Sequence, residues 1–333
     1  MDTQTRHTRT LGRSGLTVSA LGLGCMGMSQ GCGPTHDDSS IATLKRAIEL
    51  GVTFFDTAMS YGSGHNERLL GKALAGQRER VVLASKFGIV RDADGAVRLD
   101  GRPEHVRHSC EASLARLDVE NLDLYYLHRV DPSVPVEESI GAMADLVTEG
   151  KVRYLGISEA NVDALERAAA THPIAALQCE WSLWWREPED DVLPAARRLG
   201  IGLVPYSPLG RGFLTGAVTA ASLSPEDYRH HDPRFHAEHL ERNAAMIVRV
   251  RRLAAERGLT PAQLSLAWLL AQGDDVVPIP GTKRPERLAE NAAALELTLS
   301  RADLDELEAV AGRSAWSGDR QSFAAHRTTR RTA

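Results

Sequence analysis

The chain has 333 residues, 43% of them apolar and 25% charged, with a formal net charge of −5. That composition supports a large hydrophobic core and excludes a disordered or fibrous chain. The mild negative charge gives no electrostatic footprint for nucleic acid, and no apolar run approaches the ~20 residues of a membrane span.

In chain order, an N-terminal β-hairpin is expected first, then a regular alternation of short β-type runs and helical stripes. The runs are Val18–Cys25, Thr53–Ala58, Val81–Phe87, Leu122–His128, Val152–Glu159, Ala175–Trp181, Ile201–Pro208 and Val276–Pro280. Between them apolar residues recur at three- and four-residue spacing, as in Ile41, Leu44, Ala47 and Ile48. Several runs are almost continuously apolar, which suits strands covered on both faces. Eight strand–helix units predict a (β/α)8 barrel of the TIM type; a doubly wound sheet shares the alternation and is the alternative. Residues 209–240 break the rhythm with Gly, His and Pro and predict a long loop. Ser300–Ala311 predicts an extra C-terminal helix, with Ser300 as N-cap and Asp303 three residues on. No linker divides the chain, so a single domain over 1–333 is expected, ordered from about residue 8 to about 315. The tail carrying Arg327, Arg330 and Arg331 reads as a flexible, solvated end.

Gly22, Gly24 and Gly27 match a dinucleotide fingerprint, yet the fingerprint works only when its glycines open a helix. Here Met28-Ser29-Gln30-Gly31-Cys32-Gly33-Pro34 follows and cannot form one, so a strand ending in a loop is the reading. Cys25, Cys32, Cys110 and Cys179 are scattered with no CxxC pair and read as reduced, small hydrophobes. With a polar start that lacks a secretory core, they point to a cytoplasmic protein.

Three consecutive strand ends carry polar residues where a buried strand gives way to a loop: Asp56 with Tyr61 beyond it, Lys86, and His128. In a barrel these ends open on one face, where active sites of this architecture lie, so the four side chains are expected to converge. A phenol is a reluctant acid with a pKa near ~10. A buried ammonium beside it is expected to bring that value down, while Asp56 keeps the ammonium charged and His128 orients a carbonyl oxygen. The set suits protonation of a developing oxyanion. It contains no acyl-transfer pair and no metal ligands, and it lacks a hydride donor.

The second half of the chain supplies a place for one. Ser158 ends the fifth strand and Gln178 interrupts the apolar sixth. Tyr206, Ser207, Leu209, Gly210 and Arg211 combine a stacking ring with a glycine-rich loop fit for pyrophosphate. After the eighth strand come Gly281, Thr282, Lys283 and Arg284, then Arg287, Glu290 and Asn291, where these barrels usually hold phosphate. Three cations within five residues suit a 2′-phosphate, so NADPH/NADP+ is favoured over the NAD pair. Met28, Tyr126, Trp181 and part of 209–240 are the expected pocket wall. A small-molecule carbonyl is the expected substrate, and its identity is open, as is the oligomeric state.

Taken together, Phe55-Asp56-Thr57-Ala58 with Tyr61-Gly62, Asn66-Glu67, Tyr206-Ser207-Pro208-Leu209-Gly210 and Ile279-Pro280-Gly281-Thr282 resemble the aldo-keto reductase superfamily from about Leu11 to Ala311. Tyr125–Asp131 and Gly156–Ala160 are similar to the branch containing perakine reductase and bacterial relatives. The resemblance implies an NADPH-first oxidoreductase that reduces aldehydes or ketones to alcohols. Asp56, Tyr61, Lys86 and His128 fall on the family's tetrad, with Tyr61 as acid in reduction and base in oxidation, and Tyr206 as the ring that stacks on the nicotinamide. Two other classes stay in view: a nucleotide-sensing regulatory binder of the same fold, and a metal-dependent hydrolase, which would want His-x-His or bridging carboxylates at strand ends.

Overall fold

An antiparallel hairpin, β1 (Thr8–Thr10) and β2 (Thr17–Ser19), leads the described chain. The structure, a computed structural model, describes residues 7–31, 33–92, 95–219, 223 and 227–320. Cys32 and the tail arginines 327, 330 and 331 therefore lie outside the described residues. Seven parallel strands follow: β3 (Leu23–Gly24), β4 (Phe54–Asp56), β5 (Val82–Phe87), then, past a small outer hairpin of β6 (Ile89–Arg91) and β7 (Val97–Leu99), β8 (Leu122–Leu127), β9 (Val152–Ser158), β10 (Ile174–Glu180) and β11 (Gly202–Tyr206). They pair in chain order, and residues 276–280 bridge β11 back to β3, which closes the barrel.

The closing segment does not form a full strand, and proline explains it. Val277 and Ile279 donate their N–H groups to Leu203 and Pro205 of β11. Pro278 and Pro280 accept from Gly22 and Gly24 on the other side but have no N–H to return, so half of that ladder is missing. The expected first strand, Val18–Cys25, is likewise divided, with Val18 in the hairpin and Leu23 in the barrel. Its glycines serve closure. A Cβ on Gly24 would stand 2.8 Å from the Ile279 carbonyl, and beyond one 3-10 turn at Met26–Met28 no α-helix follows until Asp37.

Among the described residues nine α-helices wrap the barrel, beginning with α1 (Asp37–Glu49), α2 (His65–Leu74), α3 (Pro103–Leu117) and α4 (Val136–Thr148). After them come α5 (Val162–Thr171), α6 (Val192–Leu199), and a pair, α7 (Ala237–Glu256) and α8 (Pro261–Leu270), behind β11. The eighth unit contributes α9 (Pro285–Ala292), and α10 (Arg301–Ala311) is the extra helix, started by the Ser300–Asp303 capping box. Leu44, Ala47 and Ile48 of α1 are buried as their spacing requires, each large apolar side chain contributing roughly 1.5–3 kcal/mol. Inside the barrel Phe54, Ala84, Leu124, Val204 and Val277 pack with Leu11, Leu16 and Val18 of the hairpin. Arg13 and Ser19 bond the starts of β11 and β4, which places that hairpin under the N-terminal ends of the strands.

The expected loop at 209–240 is partly structured. Short 3-10 turns occupy Gly210–Thr215, Tyr228–His231 and Pro233–Phe235, and α7 already starts at Ala237. Its register was hidden because one-turn helices carry too few residues for periodicity.

Candidate active site

Strand register brings the polar side chains together. Asp56 pairs with Ala84, so Lys86, two residues on, enters the barrel on the same face; Lys86 pairs with Tyr126, and His128 follows by the same step. Tyr61 reaches them from the β4–α2 connection, which is fixed at several points. Thr57 and Met59 donate their N–H groups to Ala84 and Lys86 carbonyls at 3.0 and 3.1 Å. Buried Asn66 accepts from the Thr57 hydroxyl at 2.6 Å and donates to the Cys25 carbonyl at 2.9 Å. The turn itself needs Gly62 at φ +57°, where its N–H meets Gln30 Oε1 at 2.9 Å.

Lys86 is fully buried, and its three protons all have partners: the Asp56 carboxylate, the Thr57 carbonyl at 2.8 Å and the Tyr61 hydroxyl at 3.3 Å. The other Asp56 oxygen accepts from Gln178 Nε2 at 2.8 Å. The His128 ring stands edge-on to Tyr61 with 5.9 Å between centroids, and its buried Nδ1 has no partner among the described residues.

Burial opposes the Lys86 charge, but Asp56 and Tyr61 outweigh it and hold the amine above its ordinary value, so it stays an ammonium. For Tyr61 the balance differs from the expectation drawn from sequence. Burial pushes the phenol up and outweighs the downward pull of Lys86, leaving it above its ordinary range. The resting group is therefore the protonated phenol, which is the form an acid requires. Burial, then Arg129 and Lys86, holds His128 well below the usual imidazole value, so it is neutral.

A cavity of about 540 Å³ takes in Asp56, Tyr61, His128 and Gln178 at these strand ends. It continues past Tyr206, Ser207 and Leu209, then Gly281 and Thr282, to Lys283, Arg287, Glu290 and Asn291. Several expected contacts sit differently. Ser158 is buried and accepts from Arg129 Nη1 at 3.2 Å, away from the cavity wall. Gly210 also lies off the wall, against the Trp184 ring. Arg211 reaches the cavity, but its guanidinium faces Asp232 and Glu180 at 3.3 and 3.5 Å. Lys283 donates to the Gly33 carbonyl at 3.2 Å, and Arg287 pairs with Glu290 at 2.7 Å. The expected wall of Met28, Tyr126 and Trp181 is a correction: all three are core residues, and Met26, Ile89, Val97 and Val218 line the cavity instead.

Three features escaped the sequence reading. Arg129 lines the cavity beside His128, and its place at a strand end was the available signal. Buried Glu159, held below its ordinary value by Arg320 against the upward push of burial, ties residues past α10 to the site, since Arg320 also donates to the Tyr206 hydroxyl at 3.0 Å. Glu180 pairs with Arg234, which also pairs with Asp232, each at 2.7 Å. The Glu159–Arg320 and Glu180–Arg234 contacts join segments far apart in the chain and leave no local pattern.

Cys25, Cys110 and Cys179 are buried free thiols, and burial pushes Cys110 up to about 12. Among the described residues no three His, Cys, Asp or Glu gather as a metal site, and no helix is long and apolar enough to cross a membrane.

Comparison with known proteins adds to this geometry. The aldo/keto reductase family model matches residues 20–311. A probable aldo-keto reductase 1 from Glycine max is 50% identical over 303 residues, covering 90% of this chain and 88% of its own. The solved glycerol dehydrogenase of Gluconobacter oxydans superposes with a TM-score of 0.83 at 28% identity, over 92% of this chain and 97% of that one. An aldo-keto reductase from Klebsiella pneumoniae, solved in complex with NADPH, gives a TM-score of 0.70 at 29% identity, over 98% and 99%.

Proposed function

Because the chain belongs to the aldo/keto reductase family, we propose that it is an NADPH-dependent carbonyl reductase in which Tyr61 is the proton donor. The reading takes the chain as one barrel domain of a cytoplasmic enzyme. The observation that carries it is the continuous cavity joining the Tyr61–His128 pair to Arg287 and Lys283. Its size and its two chemically different ends fit a dinucleotide. So does half-buried Tyr206 on the cavity wall, a ring fit to stack on nicotinamide. The NADPH held by the Klebsiella pneumoniae relative supports the same assignment.

Tyr206 and Gln178 would hold the nicotinamide, the latter through the amide oxygen that its bond to Asp56 leaves over, with Ser158 behind them. Ser207, Leu209, Arg211, Gly281 and Thr282 would surround the pyrophosphate, with Gly210 behind them. Lys283 and Arg287 answer a 2′-phosphate, and Glu290 and Asn291 close that end. When bound, NADPH supplies the hydride.

Everything else falls to the chain. Neutral His128 hydrogen-bonds the carbonyl oxygen and holds its carbon in place. As negative charge grows on that oxygen, the Tyr61 O–H gives it the proton, yielding the alcohol and a phenolate. Lys86, 3.3 Å away, stabilises the phenolate, and Asp56 keeps the ammonium charged. Water then restores the Tyr61 proton. In the oxidative direction the same phenolate accepts the proton.

A panel of small aldehydes and ketones, followed by loss of NADPH absorbance, tests the reading. Turnover that survives a chelator is the expected result. Tight NADPH binding with no turnover of any carbonyl would overturn the reading and favour the regulatory binder.

A further inference from the structure

Among the described residues, the group around Glu159, Glu180 and Asp232 at the barrel mouth holds more buried guanidinium charge than carboxylate. Arg234 bridges Glu180 and Asp232, Arg211 faces the same two carboxylates, and Arg320 pairs with Glu159. Arg129 belongs to the same group at 5% exposure, yet none of these acids comes within salt-bridge distance of it. Among the described residues these four guanidiniums thus share three carboxylates. Asp131, two residues on, is taken by the Gly101 N–H and by Ser133.

The hydrogen bonds of Arg129 fall equally short. One terminal nitrogen donates to the His128 carbonyl at 2.6 Å and to Ser158 at 3.2 Å, both neutral acceptors. Its Nε is buried with no acceptor among the described residues. Glu159 feels the Arg129 charge but is paired with Arg320; a desolvated cation with no ion-pair partner of its own is costly, so one on a cavity wall implies a further partner. The missing partner must be an anion, must enter by the cavity, and must come within reach of the residue adjoining His128.

We propose that Arg129 is a specificity residue that receives a carboxylate carried by the substrate. The preferred substrates are then aldehydes or ketones bearing an acid group, bound with the carbonyl at Tyr61 and the carboxylate at Arg129. This rests on the carbonyl-reductase reading and narrows its substrate class. The carboxamide of the nicotinamide is the rival occupant. It offers an oxygen acceptor but no charge, and it leaves the imbalance in place.

The test compares benzaldehyde with its three carboxy isomers in the wild-type chain, Arg129→Met and Arg129→Lys, together with melting of the NADP+-loaded protein in benzoate and in benzamide. The wild type should favour the best carboxy isomer, and Arg129→Met should lower that kcat/KM ratio about tenfold or more, with Arg129→Lys between. Benzoate should raise the wild-type melting temperature, benzamide should not, and Arg129→Met should abolish the shift. If Arg129→Met fails to fold, Arg129→Lys and the wild-type benzoate shift still decide. An unchanged ratio, or a loss equal for both aldehydes with weakened NADP+ binding, assigns Arg129 to the cofactor and overturns the proposal. Absence of any aldehyde turnover alongside a benzoate-specific shift would sink the reductase reading while leaving this site standing.

Discussion

At the Tyr61 end of the cavity Asp56, Lys86 and His128 are placed by strand register and Tyr61 by a pinned connection; at the Arg287 end the charges sit on exposed side chains with replaceable neighbours. Lys86 is 0% exposed with all three protons used, whereas the Arg287 side chain is 41% exposed and pairs with Glu290 one helical turn away. The difference follows from what each end must do. Proton transfer tolerates little misplacement, so its groups hang from neighbouring strands. A dinucleotide tail needs charge and room, which a loop and a helix start can supply.

The contrast can be broken at either end. The largest effect is expected for Lys86→Met, which removes the cation beside the phenol and strands Asp56 in the interior. Turnover should fall by about 10²–10⁴, and denaturant melts should show a loss of roughly 3–5 kcal/mol. Turnover within a few-fold of wild type would mean the ammonium is not part of the chemistry. Gly156→Ala comes next, since a Cβ there would meet the Tyr126 ring at 2.4 Å. Overpacking of this kind costs about 1–3 kcal/mol, and an unaltered melt would deny that Tyr126 packs this closely against Gly156.

At the exposed end Arg287→Ala should raise the KM for NADPH about tenfold and leave the KM for NADH nearly unchanged. Equal changes for both cofactors would remove the 2′-phosphate from Arg287. The smallest effect is an expected absence of pH dependence. His128 is held below 6.5 and Tyr61 above 10.0, so kcat/KM for reduction should be level between them. Stability carries the matching sign. Below the ordinary imidazole value the unfolded chain binds a proton that folded His128 refuses, so His128 makes the fold less stable as pH falls through about 6.5. A kcat/KM titration near neutrality that disappears in His128→Gln would contradict the neutral imidazole.

The same contrast marks what could be read from the residues alone. Asp56, Lys86 and His128 were legible because a polar residue at the end of an apolar run is conspicuous, and the period of two fixes which face it shares. The barrel was legible from the eightfold alternation. The division of Val18–Cys25 was not, because a hairpin strand and a barrel strand have the same composition. Nor was the sign of the Tyr61 shift, which depends on burial outweighing one near charge. Arg211 and Ser158 sit at readable positions, but their partners, Asp232, Glu180 and Arg129, are set by tertiary packing. Arg320 had no local signature at all.

The central claim is that the protonated Tyr61 phenol, held by Lys86 and Asp56, gives its proton to the substrate. Single-turnover oxidation of pre-bound NADPH by an aldehyde, in the wild type and in Tyr61→Phe, measures this most directly, with NADPH affinity read on the same samples by fluorescence. The account predicts a rate lower by about 10²–10⁴ with affinity nearly intact. An undiminished rate in Tyr61→Phe would contradict it.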